Sequence, residues 1–390
     1  MPQPSPEAAD VSRRLTQRIA AAIAAAGGWI GFDRYMSMAL YEPGLGYYSN
    51  GKPVFGPVGD FVTAPELTPL FGAAVSRQVG SWLTACCADD PLVIEFGAGS
   101  GALASQLLNS LERQGLRKLR YQIVEVSGDL RRLQQQNLAA RVPQMAGQVE
   151  WLDAAPAAFD GVVIANEVLD AMPVRTFEWN GESLTEVGVA VVDGRLDWQA
   201  RPANAGLEEL VGALGVDRAA WHLPYRSEVC PRHGAWLATV AQSMRTGAVL
   251  LMDYGFPAAE FYHPQRVGGT LMSHYRHRSL TDPFVWPGLQ DITAHVDFSR
   301  VMAAGEAAGL QALGYASQGR FLLNCGLLDE LEALPRDEQR LWFAQAQAVQ
   351  RLVSEAEMGE LFKAVAFGKG MPDTACLPGF SEGNRMAALQ

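Results

Sequence analysis

The sequence has few cysteines, no long apolar run and no excess of basic residues. Its 390 residues include five cysteines, an odd number, and no two of them are spaced as C-x-x-C. This count argues against a disulfide framework or a zinc site and favours reduced thiols in the cytoplasm. No apolar run reaches the roughly 18 residues that a membrane-spanning helix needs, so we expect no membrane insertion. The net charge of −11 argues against a nucleic-acid partner, because such proteins usually carry a basic face.

The composition is that of a folded globular protein. Hydrophobic residues make up 48% of the chain and charged residues 19%, so a large core is available. The alanine-rich segment Ile19–Ile30 resembles the apolar part of a secretory signal, but two acids, Glu7 and Asp10, lie just before it. We therefore predict an N-terminal helix that ends at Gly27-Gly28.

From residue 91 onward, predicted strands alternate with predicted helices. This alternation is typical of βαβ units and predicts an α/β fold with a mostly parallel sheet. The predicted strands are PLVIEFGAG (91–99), LRYQIVEVS (119–127), QVEWLD (148–153), GVVIANEVLD (161–170) and GAVLLMDYGFP (247–257), and MGELFKAVAFGKG (358–370) is predicted to return as a further strand.

A long interruption breaks this alternation between residues 175 and 245. It has period-two hydrophobicity, and the dipeptides Asn180-Gly181 and Asp193-Gly194 predict hairpin turns. We therefore predict three regions, which are an N-terminal helical lid region over residues 1–85, a cofactor-binding core over residues 86–174 and 246–390, and an inserted β-rich subdomain on the substrate side over residues 175–245.

The first predicted strand of the core runs into a glycine-rich turn, VIEFGAGSGALA, at residues 93–104. Gly97, Gly99 and Gly101 let the backbone adopt positive φ angles and approach a ligand closely. The helix that follows adds N–H groups and a positive dipole end. This geometry predicts a nucleotide-like cofactor, and a tight strand–helix turn without a ligand is the alternative.

Acidic residues near this turn discriminate between two cofactors. Glu95 lies two residues before the first glycine, where it would repel the phosphates of NAD but suit the ammonium group of S-adenosylmethionine (SAM). The pattern G-x-G-x-G is also one residue shorter than the dinucleotide fingerprint. Glu125, at the end of the next strand, is predicted to bind the ribose hydroxyls, and Asp153 or its neighbours, at the end of the third strand, are predicted to lie near the adenine. SAM is therefore the favoured cofactor, and NAD is the alternative.

Eight segments carry a family resemblance, and they are GDFVTAPELTPLFG, VIEFGAGSGALA, VEVSGDLRRLQQ, ANEVLDAMPV, LMDYGFP, GTLMSHYRHR, PGLQDITAHVDFS and MGELFKAVAFGKG. In this order they resemble the MidA-like family of class I SAM-dependent methyltransferases, over about residues 30 to 370. The family includes a mitochondrial complex I assembly factor that methylates an arginine of a respiratory-chain subunit. The resemblance implies a Rossmann-like fold with a seven-strand type of sheet, SAM as cofactor and an arginine-bearing protein partner such as a respiratory complex subunit.

The fourth predicted strand ends in polar side chains, Asn166, Glu167 and Asp170, at the edge where open α/β sheets bind ligands. If the chain turns helically after Asn166, the two acids share one face. A general acid–base pair is less favoured, since methyl transfer to nitrogen needs little proton chemistry. A metal site is also less favoured, because no His or Cys lies nearby in the sequence.

We predict instead that Glu167 and Asp170 hold an arginine guanidinium, whose planar fork of donors matches carboxylates. One guanidinium nitrogen would then face the methyl group, and its placement would supply most of the catalysis. The competing interpretation is a helix N-terminus, with Asn166 as its cap and the acids in the first turn.

Three further groups of residues are candidates for a role in the functional site. His295, in DITAHVDF, is predicted to accept a proton or to order the acidic loop, with a structural histidine as the alternative. Asp60, Thr63 and Glu66 are predicted to form part of a lid over the cofactor, with helix capping as the alternative. Asp253 is a second acid at the end of a strand, and a simple turn residue is its alternative.

Together these patterns predict a SAM-dependent methyltransferase that acts on an arginine of a partner protein. Two other functions stay open, an NAD-dependent oxidoreductase and an assembly chaperone with weak or vestigial methylation. A homodimer is also left open by the sequence.

Overall fold

The computed structural model describes residues 3–51, 63–276, 278–372 and 374–389. The chain divides into two compact units. The first unit comprises Met1–Phe61, Asp170–Ala235 and Phe256–Arg300, and the second comprises Val62–Leu169, Trp236–Gly255 and Val301–Gln390.

The described residues form helices and strands in alternation along much of the chain. The helices are α1 Pro6–Ala25, α2 Phe32–Tyr41, α3 Ala64–Leu67, α4 Leu70–Cys86, α5 Ala102–Arg113, α6 Gly128–Arg141, α7 Ala205–Gly212, α8 Arg232–Ser243, α9 Ala258–Phe261, α10 Phe298–Ala307, α11 Gln318–Asn324, α12 Leu327–Glu332, α13 Gln339–Val353 and α14 Met358–Leu361. The strands are β1 Ile30–Gly31, β2 Leu92–Phe96, β3 Arg120–Val124, β4 Val149–Leu152, β5 Phe159–Asn166, β6 Arg175–Trp179, β7 Leu184–Val192, β8 Arg195–Pro202, β9 Tyr225–Val229, β10 Met244–Phe256, β11 Met272–Tyr275, β12 Arg278–Leu280, β13 Asp291–Thr293, β14 Val296–Asp297, β15 Gln311–Ser317 and β16 Phe362–Lys369.

The second unit is built on a sheet with the strand order β15-β16-β10-β5-β2-β3-β4. The five strands from β10 to β4 pair in parallel, whereas β16 is antiparallel to both of its neighbours. The predicted α/β fold with a mostly parallel sheet of the seven-strand type is therefore confirmed, including the return of the C-terminal segment as a strand.

The order of these strands decides what lies at the edge of the sheet. Strand β2 lies between β3 and β5, and all three run in parallel. Val162, Val163 and Ile164 in β5 are completely buried, as expected for a strand covered on both faces. The carboxyl ends of β2, β3 and β5 therefore bring the glycine turn, Glu125 and Asn166 to one edge.

The first unit contains two antiparallel sheets. One has the order β1-β7-β6-β9 with β8 also paired to β7, and the other has the order β12-β11-β13. Both predicted hairpin turns are present. Val192 pairs with Arg195 across a two-residue turn in which Asp193 and Gly194 have φ angles of 48° and 78°. At the other turn, Asn180 Oδ1 accepts hydrogen bonds from backbone N–H groups two and three residues later.

The predicted region boundaries need two corrections. The N-terminal region ends near residue 61 and not at residue 85, because α4 packs into the core of the second unit through side chains such as Val79 and Trp82. The inserted subdomain is not self-contained either. Ile30 pairs with Val189 of β7, and Ile292 packs into the same apolar cluster as Ile30, so residues 256–300 join this unit. Within the described part of the chain, no helix is long and apolar enough to cross a membrane.

Candidate active site

The glycine turn after β2 has a backbone that other residues would strain. Gly97, Gly99 and Gly101 have φ angles of 63°, 55° and 81°, in the left-handed region that favours glycine. A Cβ atom on Gly97 would also lie only 2.9 Å from Cγ2 of Val168. Gly101 is the N-cap of α5, and no side chain caps that helix. The turn therefore requires its glycines, and the helix N-terminus that follows it has no side-chain cap.

Glu95 lies beneath this turn, on β2. Its side chain is only 2% exposed, and the Tyr121 hydroxyl donates a hydrogen bond of 2.6 Å to its Oε2 atom. Burial raises the pKa of Glu95 to about 7. A cationic group nearby would favour the ionised carboxylate, so Glu95 suits an ammonium ligand.

Gln134 connects Gly99, Glu125 and Trp151, which lie at or just after the carboxyl ends of β2, β3 and β4. The sequence analysis did not identify it. Its side chain is fully buried on α6, and its Nε2 donates to the backbone oxygen of Gly99 at 3.0 Å and to Glu125 Oε2 at 3.3 Å. The indole N–H of Trp151 donates to Gln134 Oε1 at 2.9 Å. The available signal was its spacing, because Gln134 precedes the buried Leu138 by one helical turn.

The ends of β3 and β4 carry the other predicted cofactor acids. Glu125 is 7% exposed and accepts a hydrogen bond of 2.8 Å from the backbone N–H of Ser127, while burial raises its pKa. Asp153 is 90% exposed and forms an ion pair of 2.6 Å with Arg131. The next residue after Glu125, Val126, is an apolar side chain that is 77% exposed. This edge therefore combines a buried carboxylate with an exposed apolar surface.

Helix α3 contacts the glycine turn from the N-terminal side. The Ser100 hydroxyl donates a hydrogen bond to Glu66 Oε1, and Gln106 of α5 donates to the backbone oxygen of Pro65 at 2.7 Å. Thr63 occupies the N-cap position of α3, but its side chain makes no capping hydrogen bond. Asp60, the third predicted lid residue, lies outside the described residues.

The acidic loop after β5 does not form the helix that was considered from the sequence. Strand β5 ends at Asn166, and Glu167 has a φ angle of 54°, a left-handed conformation that interrupts any helical turn. Glu167 and Asp170 therefore do not share a helical face, and Asn166 does not cap a helix, so both of these interpretations are wrong. Glu167 Oε1 instead accepts hydrogen bonds from Asn166 Nδ2 at 3.2 Å and from the backbone N–H of Ala64 at 3.4 Å.

Asp253 holds this loop in place and is more than a turn residue. Its side chain is completely buried at the end of β10. Its Oδ2 atom accepts hydrogen bonds from the backbone N–H groups of Val168 at 3.1 Å and Leu169 at 2.9 Å. A buried carboxylate with several N–H donors is a strong anchor, so Asp253 fixes the backbone that carries Glu167.

Asp170 begins a segment of the first unit, where residues distant in sequence meet. Its backbone oxygen accepts a hydrogen bond of 3.0 Å from the N–H of Ala294. The Tyr48 hydroxyl donates to Asp291 Oδ1 at 2.9 Å. Burial and then the charge of Asp291 raise the pKa of Tyr48, and the charge of Asp170 adds to this effect. The first unit therefore brings Asp170 close to a buried acidic and aromatic group.

His295 has contacts typical of a structural residue. Its ring stacks on Phe256 with centroids 5.3 Å apart and an interplanar angle of 7°. Its backbone N–H donates to Thr270 Oγ1 at 2.9 Å. These contacts favour the structural alternative over a role in proton transfer.

Comparisons with known proteins identify the family. A family model described as "Putative S-adenosyl-L-methionine-dependent methyltransferase" matches residues 74–316, which is more than half of the chain. The chain belongs to this methyltransferase family. The MidA-like resemblance is thereby confirmed, and the sheet of the second unit is that of a class I methyltransferase.

Individual relatives support the same assignment. The chain is similar to a "likely methyl transferase" from Burkholderia thailandensis, whose crystal structure contains S-adenosyl-homocysteine (SAH), with 46% identity, 99% coverage of both chains and a TM-score of 0.93. It is 30% identical over 370 residues to the mitochondrial protein arginine methyltransferase NDUFAF7 of Bos taurus, covering 87% of this chain and 80% of that protein. The corresponding protein of Mus musculus is 29% identical over 372 residues, with coverages of 86% and 80%.

SAM is the cofactor of this methyltransferase, and the family match selects it over the NAD alternative. The residues of the second unit fit SAM. The N-terminus of α5 has no side-chain cap, Glu95 is a buried carboxylate just before the glycine turn, and Glu125 is a second buried carboxylate directly after the neighbouring strand β3. Carboxylates are the kind of side chain that cationic and hydroxyl groups, such as those of SAM, bind.

Proposed function

We propose that this methyltransferase transfers the methyl group of SAM to the guanidinium of an arginine in a partner protein. The observation that carries the proposal is the acidic loop after β5. Glu167 is held there by Asn166, by the backbone N–H of Ala64 and by a backbone that Asp253 anchors. A carboxylate fixed in this way can orient a guanidinium, which is always cationic at neutral pH.

Several of the predicted acidic residues have a role in this proposal. Glu167 binds the guanidinium and orients one nitrogen. Glu95 neutralises the cofactor ammonium, and Glu125 binds the ribose. Because Asp153 is exposed and paired with Arg131, the apolar side chain of Val126 suits the adenine better than Asp153 does. When bound, SAM supplies an electrophilic methyl group on a positively charged sulfur.

The relatives support arginine as the target. The NDUFAF7 proteins of Mus musculus and Bos taurus are named protein arginine methyltransferases, and they share 29% and 30% identity with this chain over most of its length. In the mechanism that we propose, the protein's contribution is placement, because holding a nucleophile in line can supply several orders of magnitude in rate.

The test uses the purified full-length protein, SAM with an isotopically labelled methyl group and a lysate from cells that lack its gene. We expect label on arginine side chains of one or a few proteins, found by mass spectrometry of tryptic peptides. Label only on lysine, a carboxylate or a small molecule would exclude arginine as the target and leave the methyltransferase assignment intact.

A second experiment separates catalysis from an assembly role. A Gly99→Val variant is expected to fold, to lose SAM binding and to fail to restore the function of the missing gene in cells. If this variant restores that function without binding SAM, binding to the partner is the activity that matters, and the chaperone alternative replaces our proposal.

For the location of the protein, we propose the cytoplasm. All five cysteines are free thiols, which fits a reducing compartment. Cell fractionation with an antibody against the native protein tests this proposal, since recovery in an oxidising compartment would contradict it.

A further inference from the structure

Two thiols lie side by side at the end of α4, away from the residues that we assign to the cofactor and the substrate. Cys86 is the last residue of α4 and Cys87 follows it, and their sulfur atoms are 3.5 Å apart. Both side chains are half-buried, so a small reagent can reach them. Cys325 and Cys376 occur singly in the same unit, the first buried and the second exposed.

The two thiols are chemically unequal. The Cys86 S–H group donates a hydrogen bond to the Cys87 sulfur. This hydrogen bond raises the pKa of Cys86 and lowers the pKa of Cys87, which also accepts a hydrogen bond from the backbone N–H of Leu92. Cys87 is therefore the thiol that ionises first and reacts first with an electrophile.

The separation of the sulfurs favours one shared ligand over a bond between them. Adjacent Cα atoms across a trans peptide are about 3.8 Å apart, which is shorter than the roughly 4.4 Å minimum usual for a disulfide. Two sulfurs bound at about 2.3 Å each to one pyramidal trivalent centre, with about 100° between the bonds, lie about 3.5 Å apart, which matches the observed 3.5 Å.

The surroundings limit the kind of centre that fits. In the part of the chain that the structure describes, no group of three or more His, Cys, Asp or Glu side chains is arranged to hold a metal ion. The two carboxylates whose charges act on Cys87, Asp90 and Asp160, are held in ion pairs with Arg120 and Arg245. A zinc ion, which takes four ligands, is therefore a poor match for this pair.

We propose that Cys86 and Cys87 form a dithiol site for a soft, thiophilic centre that is satisfied by two sulfur ligands, such as a trivalent organoarsenical. In the reaction with an arsine oxide, two S–H bonds break and two As–S bonds form. The two protons leave with the oxide oxygen as water, and arsenic stays trivalent, so no oxidant or reductant is needed. Soft thiolate ligands are the ones that such centres prefer.

The test is titration of the reduced full-length protein with phenylarsine oxide, followed by intact-protein mass spectrometry. We expect one phenylarsine adduct, with the loss of water, that survives excess glutathione and is removed by a dithiol such as dimercaptopropanol. Cys86→Ser and Cys87→Ser should each lower retention of the adduct in glutathione by at least about tenfold, because a single thiolate forms a readily exchanged bond.

A Cys376→Ser variant is the matched control, since it removes an exposed single thiol and should retain the adduct fully. Thermal unfolding and SAH binding of each variant establish that it is folded, and both should stay at the wild-type values. Equal retention by wild type and the Cys86→Ser and Cys87→Ser variants, or no retention by folded wild-type protein, would overturn the proposal. Either result is independent of whether arginine is the methylated residue.

Discussion

Glu95 shows how strongly a single residue depends on its surroundings. In the unfolded chain its pKa is near 4.5, whereas burial in the folded protein raises it to about 7. Folding therefore favours the protonated form of Glu95. Protonated Glu95 contributes to the free energy of unfolding, and this contribution is lost as the pH rises from about 4.5 through 7. An ammonium ligand has the opposite preference, because it attracts the carboxylate.

Because protonation of Glu95 removes the charge that attracts an ammonium group, the affinity for the cofactor should depend on pH. Between pH 6 and pH 8, Glu95 becomes mostly ionised, so the affinity for SAH should rise by up to about tenfold. Isothermal titration calorimetry measures this change directly. A Glu95→Gln variant should bind more weakly and with little pH dependence in that range, whereas the same pH dependence in the variant would refute the assigned role of Glu95.

Glu167 allows a test of substrate orientation without loss of the cofactor. In Glu167→Gln, the amide oxygen can still accept the hydrogen bond from the backbone N–H of Ala64, but the negative charge is gone. We expect methyl transfer to fall by about 100-fold, a size typical of misplaced reactants, with the dissociation constant for SAH unchanged within about twofold.

The control for this change is Glu182→Gln, which removes the same charge from an exposed hairpin loop. It should leave the rate of methyl transfer at the wild-type value. A normal rate in Glu167→Gln, measured on the same peptide substrate, would show that Glu167 does not orient the guanidinium.

At the scale of elements, the site depends on two loops that follow adjacent parallel strands. The glycine turn follows β2 and the acidic loop follows β5, and the register of these strands places Phe96 opposite Ala165. The loops also pack together, since Gly97 lies against the side chain of Val168. A change in one loop is therefore expected to affect the other.

Gly97→Ala tests this packing, with Gly115→Ala as the matched control. Both glycines have positive φ angles, 63° and 94°, so each substitution should destabilise the protein by about 1 kcal/mol. Only the Cβ atom at position 97 meets a neighbour, Cγ2 of Val168 at 2.9 Å, whereas that at position 115 meets nothing within 4 Å.

We therefore expect Gly97→Ala to weaken SAH binding by at least about tenfold and Gly115→Ala to leave it unchanged. Chemical denaturation and calorimetry on the same samples separate the two effects. Adding Val168→Ala to Gly97→Ala should restore part of the affinity, because it removes the atom that the new methyl group contacts. Equal losses of affinity in the two single variants would argue against the role of this contact.

At the scale of the whole molecule, the acidic composition favours a cationic partner. The chain has 31 basic and 42 acidic residues, which gives a net charge of −11. Long-range attraction of an arginine-bearing partner would be screened by salt over distances of about 10 Å at 0.1 M ionic strength.

This charge predicts that recognition of the protein substrate depends more strongly on salt than binding of SAH does. The KM for a protein substrate should rise severalfold between 50 and 300 mM salt, on the order expected for screened surface charges, while SAH binding changes much less. Steady-state kinetics over a salt series gives the KM, and isothermal titration calorimetry over the same series gives the affinity for SAH. A protein KM that does not respond to salt would mean that short-range contacts dominate recognition of the partner.

Local sequence was sufficient for those features whose determinants lie within a few residues of one another. The hairpin at Asp193-Gly194, the glycine turn at Gly97–Gly101 and the alternation of strands and helices all belong to this class. Each depends on backbone preferences or on periodic burial, which neighbouring residues encode directly. The family motifs also predicted SAM as the cofactor from the sequence alone, because each motif is a contiguous segment.

Features that depend on distant partners emerged only from folding. Gln134 reaches Gly99, Asp253 binds the backbone of Val168, and Ile30 pairs with Val189, and each pair is separated by tens of residues or more. The conformation of Glu167 belongs to this class as well, because its left-handed backbone is held by long-range hydrogen bonds and overrides the local signal for a helix cap. No local pattern specifies such pairings, since they arise from the order in which strands pack and from the burial of polar groups that must find partners.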